Sequence, residues 1–342
     1  MRRSVTSEQN VRRAITVPAL FVAFACSVAL APVLAVSALL VDVARAAFGT
    51  STARWPTTRA VVFFLAYLVA EAVGVTIATG AWVSARVRGI DEETFLRWNF
   101  RLQCGWTSAL YRAAVWIYGL KIEVHGSDVI APGPILLFMR HTSVADTVLP
   151  GVLVSNALGI RLRYVLKREL LVDPCLDIVG LRLRNHFVRR GVGDAATEIA
   201  AVGALARDLR PDEGVLIYPE GTRYSERGRE QRVARLVKSG DPLAEQAAAF
   251  RQVLPPHLGG PLALIEEASK GGGAAIVFCA HVGFEGAATL PRFLAGALVG
   301  ARVQVAFWRV PLAEVPASDE ARRGWLYEEW KKIDDWVVAH AR

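Results

Sequence analysis

The stretch PILLFMRHTSVAD, residues 134–146, decides how the chain folds. Its first six residues are an uninterrupted apolar run, too short for a helix and bounded by Pro134 and Arg140, the pattern of a strand buried on both faces. Two further runs have the same form, GVLIY at 214–218 and AAIVFC at 274–279. Between and after them the spacing turns helical: residues 195–209 are rich in alanine, and 318–338 form a charged amphipathic helix with Ser318 at its N-cap. Strands alternating with helices predict an α/β domain with a mostly parallel sheet flanked by helices. In such sheets ligands gather beyond the carboxyl ends of strands, so the residues just past each strand matter most.

After the first strand come Arg140, His141 and, past four intervening residues, Asp146. A helix capped by Thr142 or Ser143 would bring the Asp146 carboxylate within reach of the imidazole. That hydrogen bond fixes the tautomer and leaves the other ring nitrogen to take a proton from a substrate hydroxyl. The Ser143 to Asp146 spacing also fits a capping box, which accounts for Asp146 without any chemistry and leaves His141 a loop residue. After the second strand comes PEGTR, residues 219–223. Gly221 permits a tight turn, Thr222 and backbone N–H groups donate, and Arg223 offers a planar fork matched to phosphate. Taken alone, this motif is equally a polar turn in which Glu220 and Arg223 pair. Taken together, a dyad that deprotonates an alcohol and an arginine that holds a phosphate describe acylation of a phosphorylated alcohol.

On these two motifs the sequence resembles the lysophosphatidic acid acyltransferase (1-acylglycerol-3-phosphate O-acyltransferase) family, whose His-x4-Asp motif is met here by His141 and Asp146 and whose Pro-Glu-Gly-Thr-Arg motif is met by 219–223. The segment LKREL at 166–170 is similar to the family's Lys-x-Glu-Leu segment, and FVRR at 187–190 to its Phe-x-x-Arg block. LPPHLGG at 254–260, VGFEG at 282–286 and RVPL at 309–312 resemble the branch of eukaryotic-type lysophosphatidic acid and lysocardiolipin acyltransferases. The chain departs from the pattern twice. Arg140 stands where the family often has Asn, and Ala280 with His281 where the branch tends to carry Tyr-Asp.

The resemblance implies a glycerolipid acyltransferase-like α/β fold and transfer of a fatty acyl group from acyl-CoA or acyl carrier protein to the sn-2 hydroxyl of lysophosphatidic acid, giving phosphatidic acid. It implies His141 as general base oriented by Asp146, and Arg223, Lys167 and Arg190 as ligands of the acceptor phosphate. Glu220, Gly221 and Thr222 are expected at the substrate or the oxyanion. No metal or other cofactor is expected, the acyl thioester being a co-substrate. Three rivals stand beside this reading. One is the same chemistry on another lysophospholipid or on glycerol 3-phosphate. The second is a hydrolase, disfavoured by the lack of a Gly-x-Ser-x-Gly elbow. The third is a non-catalytic lipid-binding protein in which His141 and Asp146 only cap a helix.

The N-terminal quarter explains an unusual composition. The chain has 342 residues, 53% of them hydrophobic, with a net charge of +8 and a mean hydropathy of +0.32. Residues 14–41 carry no charge, and residues 60–85 carry only Glu71. Each exceeds the roughly 20 residues that cross the hydrocarbon as a helix, so 14–88 reads as a membrane hairpin after a basic tail at 1–13. A cleaved signal peptide is the competing reading of the first run, but the run is too long for a signal h-region and a second comes at once. Pro18 and Pro32 leave open whether the hairpin spans or lies in one leaflet. Arg2, Arg3, Arg12 and Arg13 before it and Arg86, Arg88, Arg97 and Arg101 after it outnumber Arg45, Arg54 and Arg59 in the loop. This places both ends, and with them the active site, on the cytoplasmic side of a plasma or inner membrane. Residues 89–130 read as an aromatic-rich interfacial helical region, either in the headgroup layer or packed on the core, and 131–342 as the acyltransferase domain. Cys26, Cys104, Cys175 and Cys279 lie far apart and suggest neither zinc nor disulfides. The basic surplus suits anionic lipid and acyl-CoA or acyl carrier protein; no nucleic-acid motif accompanies it.

Overall fold

The computed structural model describes residues 2–49, 53–189, 194–271 and 273–341. Along the chain run α1 (Arg2–Ala29), α2 (Ala31–Ala47), α3 (Pro56–Arg88), α4 (Glu92–Tyr118), β1 (Lys121–His125), β2 (Ile135–Met139), β3 (Arg161–Lys167), α5 (Pro174–Gly180), β4 (His186–Val188) and α6 (Ala195–Gly203). Then come β5 (Glu213–Ile217), α7 (Glu226–Lys238), α8 (Ala244–Ala248), α9 (Gly259–Gly271), β6 (Ala275–Val282), α10 (Leu290–Leu294), β7 (Arg302–Pro311) and α11 (Asp319–His340). They form two compact units. One is Met1–Leu120 with Lys167–Asn185 and Leu290–Gly300; the other is Lys121–Leu166, His186–Thr289 and Ala301–Arg342.

The second unit is built on a seven-stranded sheet in the order β1-β7-β6-β2-β5-β3-β4. Strand β2 lies at its centre, parallel to β5 through Phe138 beside Ile217 and to β6 through Met139 beside Cys279. The β3 and β5 pair is also parallel, whereas β7 runs antiparallel to β6 and brings β1 with it. The sheet is therefore mixed but mostly parallel, with helices against it. Every residue of β2, β5 and β6 is buried, which is why these three read as unbroken apolar runs rather than as alternations. Leu136 and Phe138 of β2, Val215 and Ile217 of β5, and Ile276 and Phe278 of β6 share one core with Leu264 of α9 and Trp330 of α11. Ser318 caps α11 as expected, accepting from the Ala321 N–H. Strand β1 is a departure: it lies within the stretch 89–130 expected to be helical. Its alternating, half-exposed residues are those of a sheet edge, and pairing with β7 holds it extended.

In the first unit the apolar run 14–41 is carried by two helices that break at Leu30, two residues before Pro32; Pro18 lies inside α1. Residues Ser7–Ala29 and Pro56–Arg88 are long and apolar enough to cross a membrane. The residues expected as a basic tail are helical, and Arg12 and Arg13 both bind the buried Asp177 of α5, with Arg12 Nη2 2.8 Å and Arg13 Nε 3.2 Å from its carboxylate. The Asp42 carboxylate of α2 accepts from the N–H groups of Thr57 and Thr58 at 2.9 and 2.8 Å, capping α3 where its own N-cap, Trp55, cannot. Glu71, the charge that interrupts the second apolar run, is fully buried and accepts from the Cys175 N–H at the start of α5, beside Asp173, which caps the same helix through the Leu176 N–H. Helix α4 packs a face holding Cys104, Thr107 and Leu110 inward, while Trp116 stays exposed.

Candidate active site

Strand β2 continues its ladder one residue past Met139, through the Arg140 N–H to the Cys279 carbonyl at 3.1 Å, and the chain then leaves the sheet at His141. There the backbone is held on both sides. The His141 N–H donates to Glu220 Oε1 at 2.9 Å, and its carbonyl accepts from the Tyr224 N–H at 2.8 Å. The ring retains some exposure, 13%, and lies 4.6 Å from the ring of Tyr218, the first residue after β5.

Nδ1 of His141 is 2.9 Å from Asp146 Oδ1. The other carboxylate oxygen, Oδ2, accepts from the N–H groups of Thr142 at 2.7 Å and Ser143 at 2.9 Å. The capping pattern and the dyad read from the sequence are therefore both present, one on each oxygen of the same residue. Asp146 leads into a short 3-10 turn and then a π-helical segment, Pro150–Asn156, rather than a regular α-helix. Burial raises the Asp146 carboxyl, but the hydrogen bond from His141, the neighbouring His281 ring and the Ser143 N–H outweigh it and hold the group below the usual carboxylate range. An ionised Asp146 makes Nδ1 the protonated nitrogen, so Nε2 carries the lone pair.

The loop after β5 departs from expectation at two positions. Glu220 does not pair with Arg223 but turns inward. It is fully buried, and its Oε2 accepts from the Leu254 N–H at 2.9 Å while Oε1 holds His141. Burial pushes this carboxyl up to about 7, with Arg140 and the two N–H groups drawing it back. Gly221, at φ +63°, makes the turn, and its own N–H is spent on the Tyr218 carbonyl at 2.8 Å rather than held for an oxyanion. Thr222 is half-buried in the same turn. Arg223 is exposed, donates to the Ala288 carbonyl at 3.3 Å, and pairs with no carboxylate among the described residues. Lys167 closes β3 and belongs to the first unit, where its neighbour Arg168 pairs with Glu8. Arg190 lies outside the described residues.

The two departures from the family pattern meet in space. Arg140 is fully buried: its Nη1 donates to the His281 carbonyl and to Glu285 Oε1, the latter at 2.9 Å, and its Nη2 to the Gln252 carbonyl. The His281 ring returns the contact, with Nε2 2.9 Å from the Arg140 carbonyl. Gly283, at φ +99°, turns the chain after β6 so that Glu285 folds back; an added Cβ there would lie 2.2 Å from the Arg302 carbonyl. The sequence marks Arg140 and His281 only as unusual. Their partnership arises from the β2 and β6 register, which no local pattern reveals.

A His–Asp pair lies past the carboxyl end of β2, and an exposed arginine past that of the adjacent parallel strand β5. Residues 121–260, which hold His141, Asp146 and the 219–223 turn, match the family model described as Acyltransferase. The fold is similar to the crystal structure of PlsC, the 1-acyl-sn-glycerophosphate (LPA) acyltransferase from Thermotoga maritima, with a TM-score of 0.54 at 17% identity over 83% of this chain and 98% of that one. No curated protein gives a significant match to the sequence.

Proposed function

We propose that the protein is a membrane-bound 1-acylglycerol-3-phosphate O-acyltransferase, moving a fatty acyl group from acyl-CoA or acyl carrier protein to the sn-2 hydroxyl of lysophosphatidic acid. The observation that carries this reading is the 2.9 Å contact between His141 Nδ1 and Asp146 Oδ1 at the end of the central strand, with Arg223 exposed after the neighbouring one. His141 Nε2 takes the hydroxyl proton as the oxygen attacks the thioester carbonyl, and Asp146 stabilises the imidazolium that forms. Collapse of the tetrahedral adduct breaks the C–S bond, and the proton passes from His141 to the leaving thiolate. A thioester is already activated, so no acyl-enzyme is needed.

Arg223 holds the acceptor phosphate in this mechanism, with the Thr222 hydroxyl beside it. Lys167 and Arg190 enter as further phosphate ligands on the likeness of their segments alone. The exposed apolar residues of α1, α2 and α3 support a site kept at the membrane, where lysophospholipid resides. Detergent-solubilised protein offered palmitoyl-CoA with lysophosphatidic acid, glycerol 3-phosphate or lysophosphatidylglycerol should acylate the first. His141→Ala should lower turnover roughly 10²- to 10⁴-fold. Undiminished transfer by that variant would refute the mechanism, and preference for another acceptor would refute the substrate.

A further inference from the structure

His281 is fully buried in β6, behind the dyad rather than in it. Its Nε2 lies 2.9 Å from the Arg140 carbonyl and 3.5 Å from Asp146 Oδ2. A carbonyl and a carboxylate only accept, so Nε2 carries the proton. Nδ1 has no hydrogen-bond partner among the described residues, as a bare ring nitrogen in a neutral imidazole allows. Burial holds the ring below the ordinary imidazole range; Asp146 opposes this and Arg140 adds to it. The donors to Asp146 Oδ2, the Thr142 and Ser143 N–H groups, come from the His141 loop itself, whereas the His281 Nε2–H, bonded to the Arg140 carbonyl, stands beside Oδ2 from a neighbouring strand.

We propose that His281 is a positioning residue of the dyad: its Nε2–H holds the Arg140 carbonyl, and with it the start of the His141 loop, against β6, and sets the positive end of the N–H dipole beside Asp146 Oδ2. This rests on the acyltransferase reading of the site. Its electrostatic consequence depends on the groups that face His141. Asp146 lies on the same loop, Tyr218 and Glu220 come from beyond β5, and behind Asp146 stand His281, Cys279 and the Arg140 guanidinium with its Glu285 partner. The Nε2–H dipole 3.5 Å from Oδ2 draws charge toward that oxygen and away from Oδ1. Removing it leaves the carboxylate a stronger acceptor for the imidazolium and makes His141 easier to protonate, so activity is lost at a higher pH.

The test has two arms. In ¹⁵N-histidine NMR of the detergent-solubilised wild type, His281 should stay the neutral Nε2–H tautomer across the pH range over which His141 titrates; an Nδ1–H tautomer, or a His281 that titrates there, overturns the proposal without any variant or activity. In the kinetic arm, His281→Gln places an amide N–H near the position of Nε2, whereas His281→Asn is too short and His281→Phe has no donor. His281→Gln should keep wild-type kcat. His281→Asn and His281→Phe should lose about tenfold in kcat with KM for both substrates unchanged, and the acid limb of kcat/KM should rise by about half a pH unit. Wild-type kcat and an unmoved acid limb in a folded His281→Asn or His281→Phe protein overturn the positioning role. Absence of acyl transfer in the wild type refutes the reading of the site instead, and leaves the tautomer result standing.

Discussion

Asp146 does two jobs with two oxygens. Oδ2 closes the loop by accepting from Thr142 and Ser143, and Oδ1 orients His141, so the order of the loop and the tautomer of the base depend on the same carboxylate. Arg223 is the opposite kind of residue, exposed and, among the described residues, held by a hydrogen bond to the Ala288 carbonyl. It adds little to the fold and is open to an anion. Arg223→Ala should raise KM for lysophosphatidic acid by about 10- to 100-fold, the worth of a charge-assisted hydrogen bond, with less change in kcat. A rise confined to the KM of the acyl donor would remove Arg223 from the acceptor site. His141, Asp146 and Arg223 were legible in the sequence because each comes after an apolar strand at a motif spacing. The inward turn of Glu220 was not legible, since nothing local tells a carboxylate facing solvent from one turned onto the His141 and Leu254 backbone.

At the scale of elements, the same contrast separates β2, β5 and β6 from the other strands. The three buried strands announce themselves by composition, while β3 carries Arg161 and Arg163 and β1 carries Lys121, Glu123 and His125. Arg163 is tolerated inside β3 because Glu213 of β5 meets its Nη2 at 2.7 Å, a long-range pairing that periodicity cannot reveal. Helix α5 is similarly anchored by charge. Its Asp177 takes two guanidinium groups from α1, and its N-terminus takes the Glu71 and Asp173 carboxylates. Thus Glu71 breaks an apolar run because it serves a helix more than a hundred residues away. Asp177→Ala should cost about 1.5–3 kcal/mol, the range for a hydrogen bond to a charged group. The side chains of Arg12 and Arg13 retain 19% and 31% exposure and regain some hydration, which keeps the cost below that of stranding a fully buried ion. A lower thermal unfolding midpoint in detergent checks this; an unchanged midpoint would make the cluster ornamental.

For the molecule as a whole, the apolar excess is carried by the N-terminal helices. Val33, Val36 and Leu40 of α2 are each more than half exposed, and so is Phe64 of α3, a pattern that water disfavours and a lipid interior accepts. The intact protein should therefore stay with liposomes in high salt, where purely electrostatic attachment is screened. Replacing Val33, Val36 and Leu40 together by serine should weaken partition roughly tenfold or more; release of the unsubstituted protein by salt alone would contradict a hydrophobic anchor.

The unit built on the N-terminal helices also borrows from far along the chain. Phe293 of α10 packs against Phe63 and Tyr118, with ring centroids 6.4 and 5.5 Å away. During synthesis those two rings leave the ribosome long before Phe293 exists, and at the usual pace of translation they wait on the order of ten seconds for it. The helices thus emerge first and are completed late. A chain stalled before residue 290 has every residue of the dyad and the 219–223 turn, yet lacks the side chain that closes the cluster on its oldest helices.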